Sequence, residues 1–419
     1  MPDLWRDHLV DDVLGWWMTH GPDPDHGGVL TCWDNAGTTL VSTDKYTWSQ
    51  GRWIWLMARV AAKADLLGVD PGRYLDHARS TAVFVRDHAL LPDGSTAYVT
   101  DRTGTPKEPV AGQGISVSVF ADLFVALGFA GLAKHDPEWA EPAESILLSA
   151  AARIADGTFR SEPYPVPNGR GSFALPMILT GVGEQVHRAT GSARSLEIVR
   201  EAVAAIESTF VHGDEVVEMP PYDDSLLGRH RAPGHTLEAL WFLHHARDLA
   251  PGTLAADTDR LCDLAEHACR LDWDDEHGGL LRFVDSDSDS DSDRDSDRDS
   301  GSEGGGSGGR QPAGRRTDDP YEALVAGTWD TKLWWPHAEA LYTTALLGRA
   351  GGRAELDRWH ERLRDYTLKT FPAGPGEEWI QIRRRDGSPL DEVVALPVKD
   401  PFHIARSLLL LVELEKENA

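Results

Sequence analysis

The sequence predicts an all-α protein, a toroid of six helical hairpins with short β-hairpins in its loops. Apolar residues recur at helical spacing over most of the chain, in about twelve segments. Short connectors rich in glycine, proline and aspartate separate these segments, and strand-like runs are few and brief. A dozen helices bury their apolar stripes by packing in layers, and a ring of hairpins satisfies this. We expect residues 1–419 to form a single domain.

The predicted elements follow one another along the whole chain. The helical segments are 4–19, 47–68, 73–89, 114–133, 138–156, 173–190, 194–209, 235–249, 254–271, 333–349, 353–370 and 401–416. The strand-like pieces are GGVLTCW, GGLLRFV and EWIQIRR, each next to a turn.

The charge balance is strongly acidic, with 68 acidic and 41 basic residues and a formal net charge of −27. Such a chain repels nucleic acid and anionic membranes, so we expect neither as a partner. No stretch approaches the roughly 18 apolar residues that a membrane span needs. The N-terminus has neither the basic start nor the apolar run of a signal peptide, and three cysteines do not make a complete disulfide set. These features predict a cytoplasmic protein.

Residues 285–318 have a composition that does not suit a folded core. They alternate aspartate with serine and then become glycine-rich, and such a composition buries no apolar surface. We expect a disordered insertion within the single domain. Calcium binding by the aspartates is the alternative, but the ligand spacing of a calcium loop is missing.

The sequence also resembles itself. DPDHGGVLTCWD (23–34) matches DDEHGGLLRFVD (274–285), and DKYTWSQGR (44–52) matches TKLWWPHAE (331–339). Lys45 falls opposite Lys332 in this alignment. Two copies of one element are expected when a helical ring closes on itself, and chance similarity of short words is the alternative.

Charged and aromatic residues concentrate at the predicted starts of four helices. The segments are DKYTWSQGRWIW with Trp48 and Arg52, GRHRAPGHTLEALWFL with His235 and Glu238, KLWWPHAEALY with Trp334, Trp335 and His337, and VKDPFHIARSLLL with His403. Alternate helices of a ring begin at the same end, so we expect the four segments to converge on one cavity mouth.

These segments resemble the N-acylglucosamine 2-epimerase family, which includes cellobiose 2-epimerases, mannose isomerases and sulfoquinovose isomerase. The resemblance covers nearly the whole chain outside the insertion. Its motifs are GGVLTCWD, KYTWSQGR, PGHTLEALWFL, WDDEHGGL, KLWWPHAEA, GEEWIQIRRRDG and KDPFHIAR, in this order. The resemblance implies an (α/α)6 barrel, a pocket for an open-chain sugar, and chemistry that needs no metal and no cofactor. Because members of this family commonly form dimers, the resemblance also implies a homodimer.

By motif position, the resemblance assigns the two catalytic histidines to His235 and His403 and a substrate-contacting arginine to Arg52. Arg229 falls where the family often has a sugar-binding arginine. Glu238 falls on the acidic partner of the first histidine, and its i+3 spacing from His235 fits that role. Four tryptophans offer flat faces to the C–H surfaces of a sugar, namely Trp48, Trp334, Trp335 and Trp379.

Two histidines also suit the chemistry on general grounds. The hydrogen on carbon 2 of an aldose is acidic only through the neighbouring carbonyl, so its removal needs a base that titrates near neutrality and a donor to the enediolate oxygen. Histidine, with an unperturbed pKa of about 6.5, fits the first role. If His235 and His403 flank the sugar, one removes the proton and the other returns it on the opposite face. Return to carbon 1 instead gives a ketose.

Two departures from the family bear on the substrate. Isomerases and disaccharide epimerases carry a third active-site histidine in the helix that here reads FALPMILTGVGEQV, and this chain has Pro176, Met177 and Ile178 there. Val398 stands where cellobiose epimerases carry a tryptophan. Both departures favour N-acylglucosamine and N-acylmannosamine, with mannose–fructose isomerisation as the alternative.

More distant alternatives remain open at this stage. An (α/α)6 glycoside hydrolase would use paired carboxylates, for which Asp101, Glu238 and Glu339 are available. A binding protein without catalytic activity is the other. His337 is a further catalytic candidate, and Arg52 is a candidate for an ion pair with a core carboxylate such as Glu339.

Overall fold

Sixteen α-helices form most of the protein in residues 4–286, 319–394 and 397–416, which its computed structural model describes. They are α1 (Leu4–Asp7), α2 (Gly15–His20), α3 (Thr47–Ala62), α4 (Ala64–Leu67), α5 (Pro71–Phe84), α6 (Val119–Ala133), α7 (Ala140–Ala155), α8 (Ala174–Thr190), α9 (Ala193–Ala205), α10 (Leu226–Arg229), α11 (Pro233–His245), α12 (Thr258–Asp272), α13 (Pro320–Thr328), α14 (Trp334–Gly351), α15 (Ala354–Thr370) and α16 (Phe402–Lys416). Every predicted helical segment is confirmed. The short helices α10 and α13 were not predicted.

Six of these helices form an inner ring, in which α3, α6, α8, α11, α14 and α16 each pack against the next. An outer helix or helical segment packs on each of them: α5 on α3, α7 on α6, α9 on α8, α12 on α11, α15 on α14, and the segment 4–20 on α16. The sequences explain the two layers. Inner helix α6 is apolar on all sides and almost entirely buried, whereas the outer helices α12 and α15 bury one face only. The predicted (α/α)6 barrel is confirmed.

The ring closes between the first and last elements of the chain. Helix α16 contacts α3 on one side, and on its outer side it contacts α1 and the π-helical turns His8–Leu14 that follow. The apolar run of α16 is buried from Phe402 to Val412. The last inner helix is therefore covered by the first helical segment.

Glycine allows the inner helices α3 and α6 to approach closely. A Cβ added at Gly51 would lie 2.3 Å from the carbonyl oxygen of Phe124, and one at Gly128 would lie 2.5 Å from the carbonyl oxygen of Gly51. No other residue fits at such a crossing. The close approach places Arg52 of α3 with its guanidinium 4.0 Å from the ring centre of Phe124 on α6.

In the described part of the chain, nine two-residue strands form small antiparallel ladders between the helices. They are β1 (Lys45–Tyr46), β2 (Val99–Thr100), β3 (Pro106–Lys107), β4 (Val211–His212), β5 (Glu215–Val216), β6 (His230–Arg231), β7 (Val284–Asp285), β8 (Lys332–Leu333) and β9 (Ile382–Arg383). The ladders pair β1 with β2 and β2 with β3, β4 with β5, β6 with β7, and β8 with β9. Where the strands GGLLRFV and EWIQIRR were expected, the structure has only the two-residue strands β7 and β9. GGVLTCW forms only isolated bridges, such as that of Val29 with Pro22, because the backbone around it is in turns.

The internal repeat predicted from the sequence has a structural counterpart in two buried ion pairs. Lys45 Nζ lies 3.0 Å from Asp23 Oδ2 and donates to the carbonyl of Gly27. In the second copy, Lys332 Nζ lies 3.0 Å from Asp274 Oδ2 and donates to the carbonyl of Gly278. An arginine adds a two-pronged hydrogen bond to each aspartate, Arg102 to Asp23 and Arg385 to Asp274. The two copies thus hold their glycine turns in the same way.

The same repeat explains His337. Its Nε2 accepts a hydrogen bond of 2.9 Å from the backbone N–H of Leu280, and its Nδ1 lies 2.7 Å from the carbonyl of Leu333. In the other copy, Gln50 accepts from the N–H of Val29 at 2.8 Å. Burial lowers the pKa of His337 to about 3, so the ring is neutral. His337 fastens a turn and does not line the cavity described below.

Most of the predicted insertion, residues 287–318, lies outside the described residues. Its first residue, Asp285, belongs to β7 and pairs with His230, so the folded chain extends to at least that point. Among the described residues, no helix is both long and apolar enough to cross a bilayer.

Candidate active site

A cavity of about 220 Å³ opens at the end of the barrel where the inner helices begin. All six inner helices contribute side chains to its wall from their first turns. These include Trp48 and Arg52 of α3, Phe120 and Phe124 of α6, Met177 and Ile178 of α8, His235 and Glu238 of α11, Trp334 and Trp335 of α14, and His403 of α16. The expectation that the four motif segments converge on one cavity mouth is confirmed.

His235 stands in the first turn of α11, directly after Pro233 and Gly234. Proline at this position favours the start of a helix. Gly234 lets α11 approach α14, since an added Cβ would lie 2.4 Å from the Trp335 ring. Nδ1 of His235 lies 2.8 Å from Oε1 of Glu218, in the loop after β5. The N–H at Nδ1 therefore donates to the carboxylate, and Nε2 is left for the cavity.

Glu218 controls the charge of this imidazole. Burial favours the neutral ring, but the negative charge and the hydrogen bond of Glu218 outweigh it and raise the pKa of His235 above its usual value. About 26% of the His235 side chain is exposed, on the cavity side, whereas Glu218 is 3% exposed. The pair is therefore suited to presenting a protonated imidazole to a ligand.

His403 lies in the first turn of α16 and is oriented in the same way by another carboxylate. Its Nδ1 lies 2.7 Å from Oε1 of Glu339 on α14. Burial, with the positive charge of Arg52 adding to it, lowers the pKa of His403 to about 3. The ring is therefore neutral at neutral pH, with the lone pair of Nε2 available.

One indole connects the two imidazoles. The ring centres of Trp335 and His235 are 5.3 Å apart, and those of Trp335 and His403 are 5.6 Å apart. Two histidines with opposite pKa shifts thus lie against the same tryptophan in one cavity. Such a pair divides the acid and base roles of a proton transfer between two groups.

Arg406, one turn beyond His403, binds the two glutamates beneath the histidines. Its Nη2 donates to Oε1 of Glu339 at 2.7 Å and to Oε1 of Glu238. Glu238 is therefore engaged with Arg406, and the acidic partner of His235 is Glu218 instead. Of the described residues, Glu238, Glu339 and His403 are the group with metal-ligand geometry, and the guanidinium of Arg406 supplies a cation between the two carboxylates.

Arg52 lines the cavity and donates to Asp400, the residue that precedes Pro401 and α16. This ion pair replaces the expected alternative with Glu339, which is held by His403 and Arg406. The guanidinium also faces the rings of Trp48 and Phe402, each with its centre 5.0 Å away. Arg52 is thereby held in place on the cavity wall.

Two of the predicted substrate-binding residues do not line the cavity. Arg229 lies outside the wall, where its guanidinium bonds Asp285 at 3.0 and 3.1 Å. Trp379 is fully buried, and its indole N–H donates to Nε2 of His8 at 2.6 Å. The remaining tryptophans Trp48, Trp334 and Trp335 do line it.

The wall also contains residues that the sequence did not single out. They are Tyr164, Glu218, Arg282, Tyr321 and Asp400. Asp400 lies within a motif that was already recognised, KDPFHIAR. The other four come from loops, β-hairpins and a short helix, and no spacing in the sequence connects them to the histidines.

Apolar side chains of α8 line the same cavity as the histidines. Met177 and Ile178 line the cavity, as does Val398 near the start of α16. These are the positions where isomerases and cellobiose epimerases were expected to differ. The polar part of the cavity wall consists of the histidines, carboxylates, arginines, and the hydroxyls of serine and tyrosine side chains.

The chain is similar to known proteins along nearly its whole length. A family model described as N-acylglucosamine 2-epimerase matches residues 316–407. The human N-acylglucosamine 2-epimerase is 25% identical, in an alignment that covers 98% of this chain and 90% of the human protein. The bovine enzyme is 25% identical over 98% of this chain and 91% of its own length.

Solved structures show the same fold. Cellobiose 2-epimerase from Bacillus thermoamylovorans superposes with a TM-score of 0.72 at 14% identity and covers 98% of both chains. A D-mannose isomerase superposes with the same TM-score at 14% identity, covering 98% of this chain and 97% of its own. By motif order, fold and similarity along nearly its whole length, the chain resembles the N-acylglucosamine 2-epimerase family.

Proposed function

We propose that the protein is a sugar 2-epimerase that interconverts N-acylglucosamine and N-acylmannosamine through an enediolate. The observation that carries this proposal is the pair of imidazoles, His235 and His403, against the single indole of Trp335. An epimerisation at carbon 2 needs two proton-transfer groups at one sugar carbon, and this arrangement supplies them.

His403 acts as the base in one direction of the reaction. Its ring is neutral, and Glu339 orients it through Nδ1, so that Nε2 can take the proton from carbon 2. The imidazolium that forms is stabilised by the same carboxylate. Glu339 itself is held in place by Arg406, which keeps the base from rotating away.

His235 acts as the acid in that direction. Glu218 favours its protonated form, and Nε2 returns a proton to carbon 2 on the opposite face of the enediolate. In the reverse direction the two histidines exchange roles. Arg52, which lines the cavity, is the donor that we assign to the oxyanion.

The apolar wall supports an N-acylated substrate. Met177 and Ile178 offer a surface on which the methyl group of an acetamide can be buried, whereas a free hydroxyl there would lack a partner. Isomerisation between mannose and fructose uses the same two histidines and is the second candidate. The D-mannose isomerase with the same fold is the observation in its favour.

Glycoside hydrolysis is disfavoured by where its carboxylates lie. Glu238 and Glu339 both accept hydrogen bonds from Arg406, and Asp101 is not on the cavity wall. Paired carboxylates of a hydrolase must instead flank the scissile bond, with one of them protonated.

Incubation in deuterated water tests the proposal. N-acetylglucosamine, N-acetylmannosamine, glucose and mannose are each incubated with the enzyme and followed by proton NMR. The proposed epimerase exchanges the carbon 2 hydrogen of the N-acetyl sugars for deuterium and forms the 2-epimer. Ketose formation from mannose alone would favour the isomerase, and absence of deuterium exchange and of ketose with all four sugars would overturn both. The cytoplasmic location and the homodimer stay predictions of the sequence.

A further inference from the structure

Arg282 is a charged residue on the cavity wall that the proposed chemistry does not use. It lies just before β7, and its side chain is among those that enclose the cavity next to the histidines. The residue is only 8% exposed. A buried guanidinium is costly unless a negative group compensates it.

The partners of Arg282 are neutral. Nη1 donates to the hydroxyl of Thr328 at 3.0 Å, and Nη2 donates to the phenol oxygen of Tyr164 at 3.2 Å. The guanidinium also lies 5.0 Å from the ring centre of Phe283. No carboxylate of the described residues is within ion-pairing distance of it, in contrast to Arg52 with Asp400 and to Arg406 with its two glutamates.

The acidic residues on the cavity wall already have partners, Glu238 with Arg406 and Asp400 with Arg52. Glu218 is hydrogen bonded to His235, and its negative charge favours the protonated form of that imidazole. Two phenols, Tyr164 and Tyr321, line the cavity beside Arg282, with ring centres 6.3 Å apart. Burial raises the pKa of Tyr321, so its hydroxyl stays protonated and can donate. The wall therefore offers a cation and hydroxyl donors to the cavity.

We propose that Arg282 is a receptor for an anionic group carried by the sugar, on a carbon other than the one that epimerises. A guanidinium has five N–H donors, of which two are used by Thr328 and Tyr164. Its remaining donors suit the oxygens of a phosphate, sulfate or carboxylate. A chain with a formal net charge of −27 repels anions at long range, so an anionic substrate requires a local cation of this kind.

This inference rests on the proposed epimerase activity, and one set of measurements tests both. Exchange at carbon 2 and epimer formation are followed for N-acetylglucosamine, its 6-phosphate and its 6-sulfate, with the wild-type enzyme and with Arg282→Gln and Arg282→Lys. We expect a kcat/KM about ten- to a hundredfold higher for the charged sugars, as charge-assisted hydrogen bonds from a buried arginine provide. Phosphate and sulfate differ in charge, so their ratio identifies which anion the site prefers.

The variants decide the role of the residue. Arg282→Gln is expected to remove the advantage of the charged sugars and to leave turnover of N-acetylglucosamine within about threefold of wild type, while Arg282→Lys retains part of the advantage. Equal kcat/KM for neutral and charged sugars overturns the inference but leaves the epimerase intact. An equal loss on all sugars in a folded Arg282→Gln variant also overturns it, because the residue then serves catalysis or structure. Absence of exchange with every sugar overturns the proposed function itself.

Discussion

Glu218 holds the imidazole of His235 through a hydrogen bond of 2.8 Å between Oε1 and Nδ1. The contact joins the loop after β5 to the first turn of α11. It decides both the tautomer of the ring and its charge, since the carboxylate raises the pKa of His235. The acid of the proposed reaction is thus set by a residue outside the inner helices.

Glu218→Gln keeps the hydrogen-bond acceptor and removes the negative charge. Because the protonated form of His235 is required, activity is present below the pKa of His235 and is lost as the pH rises through it. The substitution lowers this pKa, so the alkaline limb of the kcat/KM profile is expected to move to lower pH. Glu215→Gln, on the neighbouring strand β5, is the control and leaves the limb in place. An unchanged limb in Glu218→Gln contradicts the assignment.

His235→Ala and His403→Ala are expected to lower kcat for epimerisation by about 10²–10⁴-fold each, the usual contribution of a proton-transfer group. Deuterium exchange distinguishes them. Loss of His235 leaves His403 to remove and return the proton on one face, so the sugar that presents its hydrogen to His403 exchanges without inversion. Loss of His403 abolishes exchange into that sugar. His212→Ala, at an exposed histidine, is the control, and identical exchange by both variants would refute the two-base arrangement.

Arg406→Met is expected to destabilise the protein by about 3–5 kcal/mol, because it leaves Glu238 and Glu339 buried beside each other without their cation. The free energy of unfolding in urea measures this loss. Combining the change with Glu238→Gln removes one of the two charges and should recover part of the stability. Arg349→Met, at the exposed end of α14, is the control. An additive double variant would show that the ion pairs do not interact.

His337→Gln imitates the other copy of the repeat, in which Gln50 accepts the equivalent backbone N–H. We expect His337→Ala to cost about 1–3 kcal/mol of unfolding free energy, since it leaves the N–H of Leu280 buried without an acceptor. His337→Gln should recover most of this loss and keep kcat. A large fall in kcat in a stable His337→Gln variant would instead indicate a catalytic role for the imidazole.

The sequence predicted the ring and the positions of the histidines because both depend on local signals. Helical periodicity located the inner and outer helices, and His235, His403 and Arg52 stand at helix starts inside recognisable motifs. Helices that begin at the same end of a barrel then bring their first turns together. The ring was predicted from helical periodicity, whereas the roles of His235, His403 and Arg52 were assigned from motifs that resemble those of a known family.

Glu218 was missed for the opposite reason. The i+3 spacing pointed to Glu238 as the partner of His235, but Arg406 from another helix binds that carboxylate, and a loop supplies Glu218 in its place. Trp379 belongs to a recognised motif, yet its indole turns outward to His8 of the outer layer. A motif therefore predicts in which part of the structure a residue lies, whereas the direction of its side chain depends on tertiary contacts.

The closure of the ring by α16 means that a shortened chain loses two things at once. The same helix that seals the last gap between α14 and α3 also brings His403, Arg406 and the covering surface for the first helical segment. A polypeptide still lacking its final twenty or so residues, roughly one α-helix and its connector, has an open barrel and half of its proton-transfer pair. Synthesis must therefore proceed through α16 before the ring is closed and the proposed proton-transfer pair is complete.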